Sequence, residues 1–570
     1  MNIKCEQMFT ENKQLLTQGF KISGKKDCKR IILWRHPFGG RRCNAHAESL
    51  RQKDREIIRF SFRVNLCVCI YVHTLFISRR KYNMIETINS FLNGIVWGPI
   101  GLCLLFLAGV WMTIVNRGFQ ITHFAHWMKQ TIGAIFKDSH VRAHTEKHDK
   151  QISQFQSLCT ALAATIGTGN IVGVSTAIIS GGPGAIFWMW IMSILGMMTN
   201  YSENVLGIFY RIKNKKGEWS GGAMYYLVNG LGAKKGCKTL GKILALLFSC
   251  FCILASFGIG NIAQVNSISG NLFSAFSIPT YITGILLVFL TGIVVIGGIK
   301  RVALVTEKLV PFMAVIYILG ALGIIAIHGN RIPAAFLSIF KGAFGLSSIK
   351  GGILGYGLKS AIVWGFKRGA FSNEAGLGSS VMVHSSSNVK EPVQQGMWGI
   401  FEVFADTIVV CTLTALVVLT SGFFDLETGK QIVDISASSL VGQAFGNVFG
   451  PIGPMFIAIA ILMFAFSTVL GWSHYGGKSV EYLLGEKAVV FYHLIFCGMS
   501  FFSSTMDLTL AWDLSDTFNG LMMIPNLIGV LACSGTVMAI TKNYTDRVFK
   551  QKDIKPMYSA YPEIQKEQES

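Results

Sequence analysis

Residues 163–190 read AATIGTGNIVGVSTAIISGGPGAIFWMW, and the fold turns on how this stretch is understood. It is apolar enough to lie in a membrane, yet it contains Gly167, Thr168, Gly169 and Asn170 in succession. Two glycines weaken a helix, and Thr and Asn compete for nearby backbone groups. In hydrocarbon each unpaired N–H or C=O costs several kcal/mol, so a break survives only where protein buries it or where it lines a cavity. Such a break leaves half-helix ends, N–H groups on one side and carbonyls on the other, suited to an anion and a cation. Residues 163–170 are therefore expected to form a binding site at mid-membrane. A glycine-lined helix contact with one interhelical Asn is the alternative reading of this stretch taken alone.

The rest of the chain supports a membrane setting. Of 570 residues, 51% are hydrophobic and 14% charged, too apolar for an ordinary soluble domain. Many runs reach the ~20 residues that span a bilayer. Eleven spans are expected, near 94–116, 157–180, 183–210, 240–270, 278–298, 303–328, 352–381, 396–421, 453–476, 487–505 and 515–540. Lys and Arg collect in every second connection: Arg117 to Lys150, Arg211 to Lys238, Lys300 with Arg301, and Lys542 to Lys552. Excess positive charge marks the cytoplasmic side, so the chain from Met84 starts outside and the 542–570 tail lies inside. Residues 1–83 hold 18 Lys and Arg against 6 Asp and Glu, more than half of the formal +21. They are expected to be a basic extension, disordered or outside the working protein, which starts at Met84. No aromatic-studded basic domain follows, so nucleic acid is not an expected partner. The 13 cysteines form no paired C-x-x-C motif, and free thiols without a bound metal are expected.

The eleven spans divide as one extra helix (84–156 with its loop), five in residues 157–328 and five in 329–541. The first five start from the inside and the second five from the outside, as inverted repeats require, and each set should open with an interrupted helix. Span seven, GLKSAIVWGFKRGAFSNEAGLGSS at 357–380, is the other poor helix former, at the corresponding position. The matched pair favours a carrier over a simple helix bundle.

The stretches at 163–190, WGFKRGAFSNEAGLGS (364–379) and FADTIVVCTLTALVVLTSG (404–422) closely resemble the alanine or glycine:cation symporters, also called sodium:alanine symporters. The resemblance runs from about Met84 to about Lys550. It implies an all-α, leucine-transporter-like fold: a 5+5 inverted repeat with two interrupted helices, preceded by one extra helix. It also implies a small zwitterionic cargo, alanine or glycine, moving with Na⁺ into the cell by alternating access, in a bacterial-type inner membrane. No other cofactor and no obligate protein partner is expected. The cargo's carboxylate would lie against N–H groups around Thr168 and Gly169. Its ammonium would face carbonyls near Thr165 and near a second break at Trp364 and Gly365. Phe257, Trp364 and Trp472 would wall the side-chain space. By the same resemblance, sodium would sit among the Ser467 and Thr468 hydroxyls and the carbonyls of Ala163 and Ile166. Asn170 aligns with an amide that can hold cargo or a second ion.

Lys367, Arg368 and Glu374 are ionisable groups inside a span, where each costs ~2.5–3.5 kcal/mol at the bilayer centre. They are expected to form a gate or a cytoplasmic-side network, with Arg368 and Glu374 able to pair across a break. Asp406 reads as structural. Asn261 and Gln264, three apart on one helix face, either reach the site or bridge helices. A membrane enzyme would need a catalytic constellation, and no H-E-x-x-H or G-x-S-x-G motif is present. A proton-coupled carrier of the same fold and an ion channel remain as alternatives.

Overall fold

The computed structural model describes residues 87–143, 151–215, 217–345, 354–506 and 508–569. The basic extension at 1–83 and the start at Met84 lie outside the described residues.

The described chain is helical almost throughout; its only strands, among the described residues, are the short pair Ile212–Lys213 and Trp219–Ser220. A helix stands at each of the eleven expected positions. α1 spans Thr87–Val115. α2 (Gln154–Thr165) and α3 (Val174–Gly181) flank the first break, and α4 (Gly184–Phe209) follows. α5 (Lys238–Phe257) and α6 (Ala263–Phe276) join through a widened turn at Gly258–Ile262. Then come α7 (Thr280–Val295), α8 (Gly298–Ile327), the short α9 (Ile332–Ala343) and α10 (Leu354–Asn373). α11 (Pro392–Val403) and α12 (Thr412–Thr420) are joined by a second widened turn at Phe404–Cys411. The remainder is α13 (Ala437–Phe449), α14 (Ile452–Leu484), α15 (Ala488–Ser503), α16 (Leu508–Ala532) and α17 (Ser534–Val548).

Five of these are long and apolar enough to cross a membrane unaided: α1, α5–α6, α8, α11–α12 and α14. Two bent pairs bring the number to seven: α2 with Gly169–Gly181, bent by 49°, and Trp512–Ala532 with α17, bent by 57°. The other four expected spans differ for physical reasons. α7 and α15 are 16 residues long. α4 and α10 carry Asn200, Ser202, Glu203, Asn204, Lys367 and Arg368, all buried inside the protein. Hydropathy undercounts helices whose polar groups face inward.

α14 lies at the centre and touches α2, α5, α6, α8, α13 and α15. Close approach is possible because Gly471 faces Ala164, whose Cα would lie 3.0 Å from a Cβ placed there. The leucine- and phenylalanine-rich outer faces, including Phe289, Ile293, Phe312, Leu319, Phe491 and Ile495, are exposed, as a lipid-facing surface requires.

Candidate functional site

The first break follows from its sequence. α2 opens with a capping box: Gln156 N–H donates to Ser153 Oγ (3.2 Å) and Ser153 N–H donates to Gln156 Oε1 (3.1 Å). It ends at Thr165, with Ile166 at φ −77°, ψ 88° and its N–H on Leu162 O. A widened turn at Gly169–Gly173 then re-enters helix; such turns are frequent at functional sites. Side chains satisfy two freed backbone donors. Gly167 N–H donates to Asn170 Oδ1 (3.0 Å) and Thr168 N–H donates to Gln264 Oε1 (3.1 Å). Every group from Ala163 to Asn170 is buried. The expected arrangement therefore needs revising at Thr168: Gln264 already occupies its N–H. The Thr168 hydroxyl has no hydrogen-bond partner among the described residues. Thr165 Oγ1 leans back on Ala161 O (3.3 Å) and Leu162 O (3.4 Å). Gly169 packs on α10, where a Cβ would lie 3.2 Å from Ser372 Cα.

The second break is not at Trp364 and Gly365. α10 runs unbroken through both to Asn373. The chain then reverses at Glu374 (φ +56°), Gly376 (φ +89°) and Gly378 (φ +74°), before a single helical turn at Val381–His384. Gly365 serves packing instead: a Cβ there would overlap Ala185 O and the Trp188 Cβ of α4. The usable signal lay in Asn-Glu-Ala-Gly-Leu-Gly at 373–378, where two glycines supply left-handed conformations. Trp364 sits at the far end of α3, beside Gly181, under the Lys367 and Arg368 side chains.

The polar groups around the breaks sort into three sets. Ser467 Oγ and Thr468 Oγ1 approach Ala163 O at 3.3 and 3.0 Å, and both also reach Phe464 O one turn earlier (2.8 and 3.1 Å). A hydroxyl has one proton and two lone pairs, so each can donate to a carbonyl and still offer oxygen to a cation. Ile166 N–H closes α2 on Leu162 O, a bond that leaves aside the carbonyl expected as the fourth ligand.

The second set is ionic. Asp516 Oδ2 lies 2.7 Å from Lys367 Nζ, and Arg368 grips the same carboxylate with two bonds of 2.9 and 3.2 Å. The Arg368 guanidinium is surrounded by Trp364, Phe371 and Trp512 at 5.3, 5.4 and 5.0 Å. Arg368 and Glu374 do not pair. Glu374 accepts from Trp472 Nε1 (2.7 Å) and from Ser379 Oγ, so Trp472 braces the second break. Asp516 escaped sequence reasoning; its signal was a pair of acids, Asp513 and Asp516, at the start of an expected span, AWDLSDTFNGLMM (511–523). Phe257 packs in a ring cluster with Tyr492 and Phe496 at 5.6 and 5.8 Å.

The third set centres on Asp406. Its carboxylate accepts from Asn170 Nδ2 (2.7 Å), Ser372 Oγ (2.7 Å) and Thr407 Oγ1 (2.9 Å). It thus touches residues from both broken helices. A cavity of about 720 Å³ between α1, α4 and α10 is lined almost wholly by apolar groups such as Trp97, Leu102, Phe106 and Phe366. It does not reach either break.

Paired interruptions facing each other inside an apolar helical bundle, with hydroxyl and carbonyl oxygens at one and an ion pair beside the other, define a membrane carrier. The comparisons agree. Residues 82–559 match the sodium:alanine symporter family, and the chain belongs to that family. It is 43% identical to the sodium/alanine symporter AgcS of Methanococcus maripaludis, over 81% of this chain and 97% of that one. It is 33% identical to YrbD of Bacillus subtilis, named there as a candidate sodium/proton-dependent alanine carrier, over 82% and 93% of the two chains. GlnT of the same organism, a candidate sodium/glutamine symporter, is 34% identical over 82% and 93%.

Proposed function

We propose that the protein carries alanine or glycine into the cell together with sodium, by alternating access. In this reading residues 157–328 and 329–541 are the two inverted repeats, the Met84 end is outside and the tail is cytoplasmic. The observation that carries it is the convergence of the Ser467 and Thr468 hydroxyls on Ala163 O at the first break. Oxygen from neutral groups suits a hard monovalent cation.

Cargo binding has a stated chemical requirement. For a carboxylate to take the Thr168 N–H, Gln264 Oε1 must let go of it. The amide rotation frees a donor at the first break while the unpartnered Thr168 hydroxyl gains an acceptor. The Lys367–Arg368–Asp516 cluster lies on the α3 side of both breaks and closes that side; under the proposed orientation it is the outer gate. A zwitterion has no net charge, so each sodium moves one positive charge inward. At 100 mV that contributes ~2.3 kcal/mol, roughly a fifty-fold concentration ratio.

Radiolabelled alanine uptake into proteoliposomes tests the reading. A sodium gradient should drive accumulation, and choline in place of sodium at fixed pH should abolish it. Uptake that follows a proton gradient without sodium refutes sodium coupling and favours the proton-coupled alternative, which the name of YrbD motivates. Uptake of glutamine but not alanine refutes the cargo.

A further inference from the structure

We infer that Asp406 is the positioning residue that couples the two helix breaks, through a directed chain of hydrogen bonds that begins on a backbone N–H at each of them. At the first break, Gly167 N–H donates to Asn170 Oδ1 (3.0 Å), and Asn170 Nδ2 donates to Asp406 Oδ1 (2.7 Å). At the second, Ala375 N–H donates to Asn373 Oδ1 (3.0 Å), Asn373 Nδ2 donates to Thr407 Oγ1 (3.0 Å), and Thr407 Oγ1 donates to Asp406 Oδ2 (2.9 Å). Ser372 Oγ adds a direct bond from the end of α10 to Asp406 Oδ2 (2.7 Å). Cys411 Sγ fills the remaining side, 3.4 Å from Asn170 Nδ2 and 3.3 Å from Ser372 Oγ.

The direction of every link is fixed by chemistry. A backbone N–H only donates, so each asparagine must present its oxygen to the break and its NH₂ group inward. Thr407, having accepted from Asn373, has its own proton left for Asp406. Both chains therefore end on the one group that only accepts when ionised, a carboxylate. Asp406, Thr407, Asn170, Ser372 and Asn373 are all fully buried, so no water competes for these bonds, and a half-satisfied network would be costly. The adjacent pair Asp406–Thr407 sits on the widened turn Phe404–Cys411, which sets both side chains toward the breaks. Displacing Asn170 from Gly167 alters the donor set at Asp406, and through Thr407 the cap on Ala375. Energetic coupling between sites needs such a contiguous element with both sites biasing it.

The inference rests on the carrier reading for its purpose, since a carrier must make cargo at one break felt at the other. Its test needs no cargo. Hydrogen–deuterium exchange is measured on the purified full chain in lipid nanodiscs, following peptides that cover 165–171, 373–378 and, as a reference packed against neither break, Thr280–Val295. Asn170→Ala should speed exchange at 373–378 as well as at 165–171, by about tenfold, and Thr407→Val should do the same in reverse. In an Asp406→Asn background each second substitution should loosen only its own break. Faster exchange confined to the substituted break in the parent background overturns the inference. An equal rise in the 280–295 reference also overturns it, because the change is then general destabilisation. Failure of sodium-driven alanine uptake would overturn the carrier reading and leave this exchange result standing.

Discussion

Removing Asp516 should have a large and specific cost. Its carboxylate serves two cations, Lys367 at 2.7 Å and Arg368 through two bonds, and these residues are only 8% and 4% exposed. Truncating one partner of a buried ion pair typically costs ~3–5 kcal/mol, because the opposite charge is left behind without compensation. Asp516→Ala strands two charges, which pushes toward the upper end. The three rings around Arg368 oppose this, since a cation over an aromatic face retains roughly 0.5–2 kcal/mol. The balance predicts a loss of about 4 kcal/mol for Asp516→Ala, and a smaller loss for Asp516→Asn, which keeps one acceptor oxygen. Reversible denaturant unfolding of the purified protein in mixed micelles measures it. The exposed pair Lys213–Glu567 is the control, and breaking it should change little, as surface pairs do. A loss below about 1 kcal/mol for Asp516→Ala would refute the argument, because charges stranded in a dry interior cannot be that inexpensive.

Three other outcomes follow from the same geometry. Thr468→Val should raise the sodium concentration for half-maximal alanine uptake by about tenfold, the equivalent of one lost ligand at ~1.4 kcal/mol, with folding preserved; unchanged sodium dependence counts against the cation site. Gly471→Ala places a methyl 2.7 Å from Ala164 Cβ, with Ala164 backbone close behind it, so α14 must move off the first break. Overpacking of this kind costs ~1–3 kcal/mol, and sodium-stimulated uptake should fall more than protein yield does. Trp472→Phe keeps an aromatic ring, though a smaller one, and removes the Nε1 donor to Glu374 Oε1, leaving a buried acceptor oxygen unsatisfied at ~1–3 kcal/mol; unfolding and single-turnover uptake should both show it, and no change in either would show that Glu374 Oε1 has a second donor.

A membrane sequence advertises its helices and its interruptions because both are local properties. The apolar runs, and the glycines and polar residues at 167–170 and 372–380, could be read directly: a helix needs consecutive residues that tolerate it, and lipid penalises any that do not. The position of the second break within its span was less legible. Gly365 and Gly376 are the same letter, yet one lets α10 press against α4 and the other supplies a left-handed turn. Only the neighbour decides which. The partners of the charges were hidden for the same reason. Arg368 is six residues from Glu374 but bonds Asp516, 148 positions away, while Glu374 bonds Trp472, 98 positions on. Asp406 looked like a lone acid early in a span, and Gln264 a polar residue with two possible roles; three-dimensional packing made them the groups that hold the interrupted helices. The chain's order thus settled that it lives in a membrane and which two spans come undone. The tertiary structure settled what fills the gaps, because the donors and acceptors freed by a break take whichever side chain the fold brings within 3 Å.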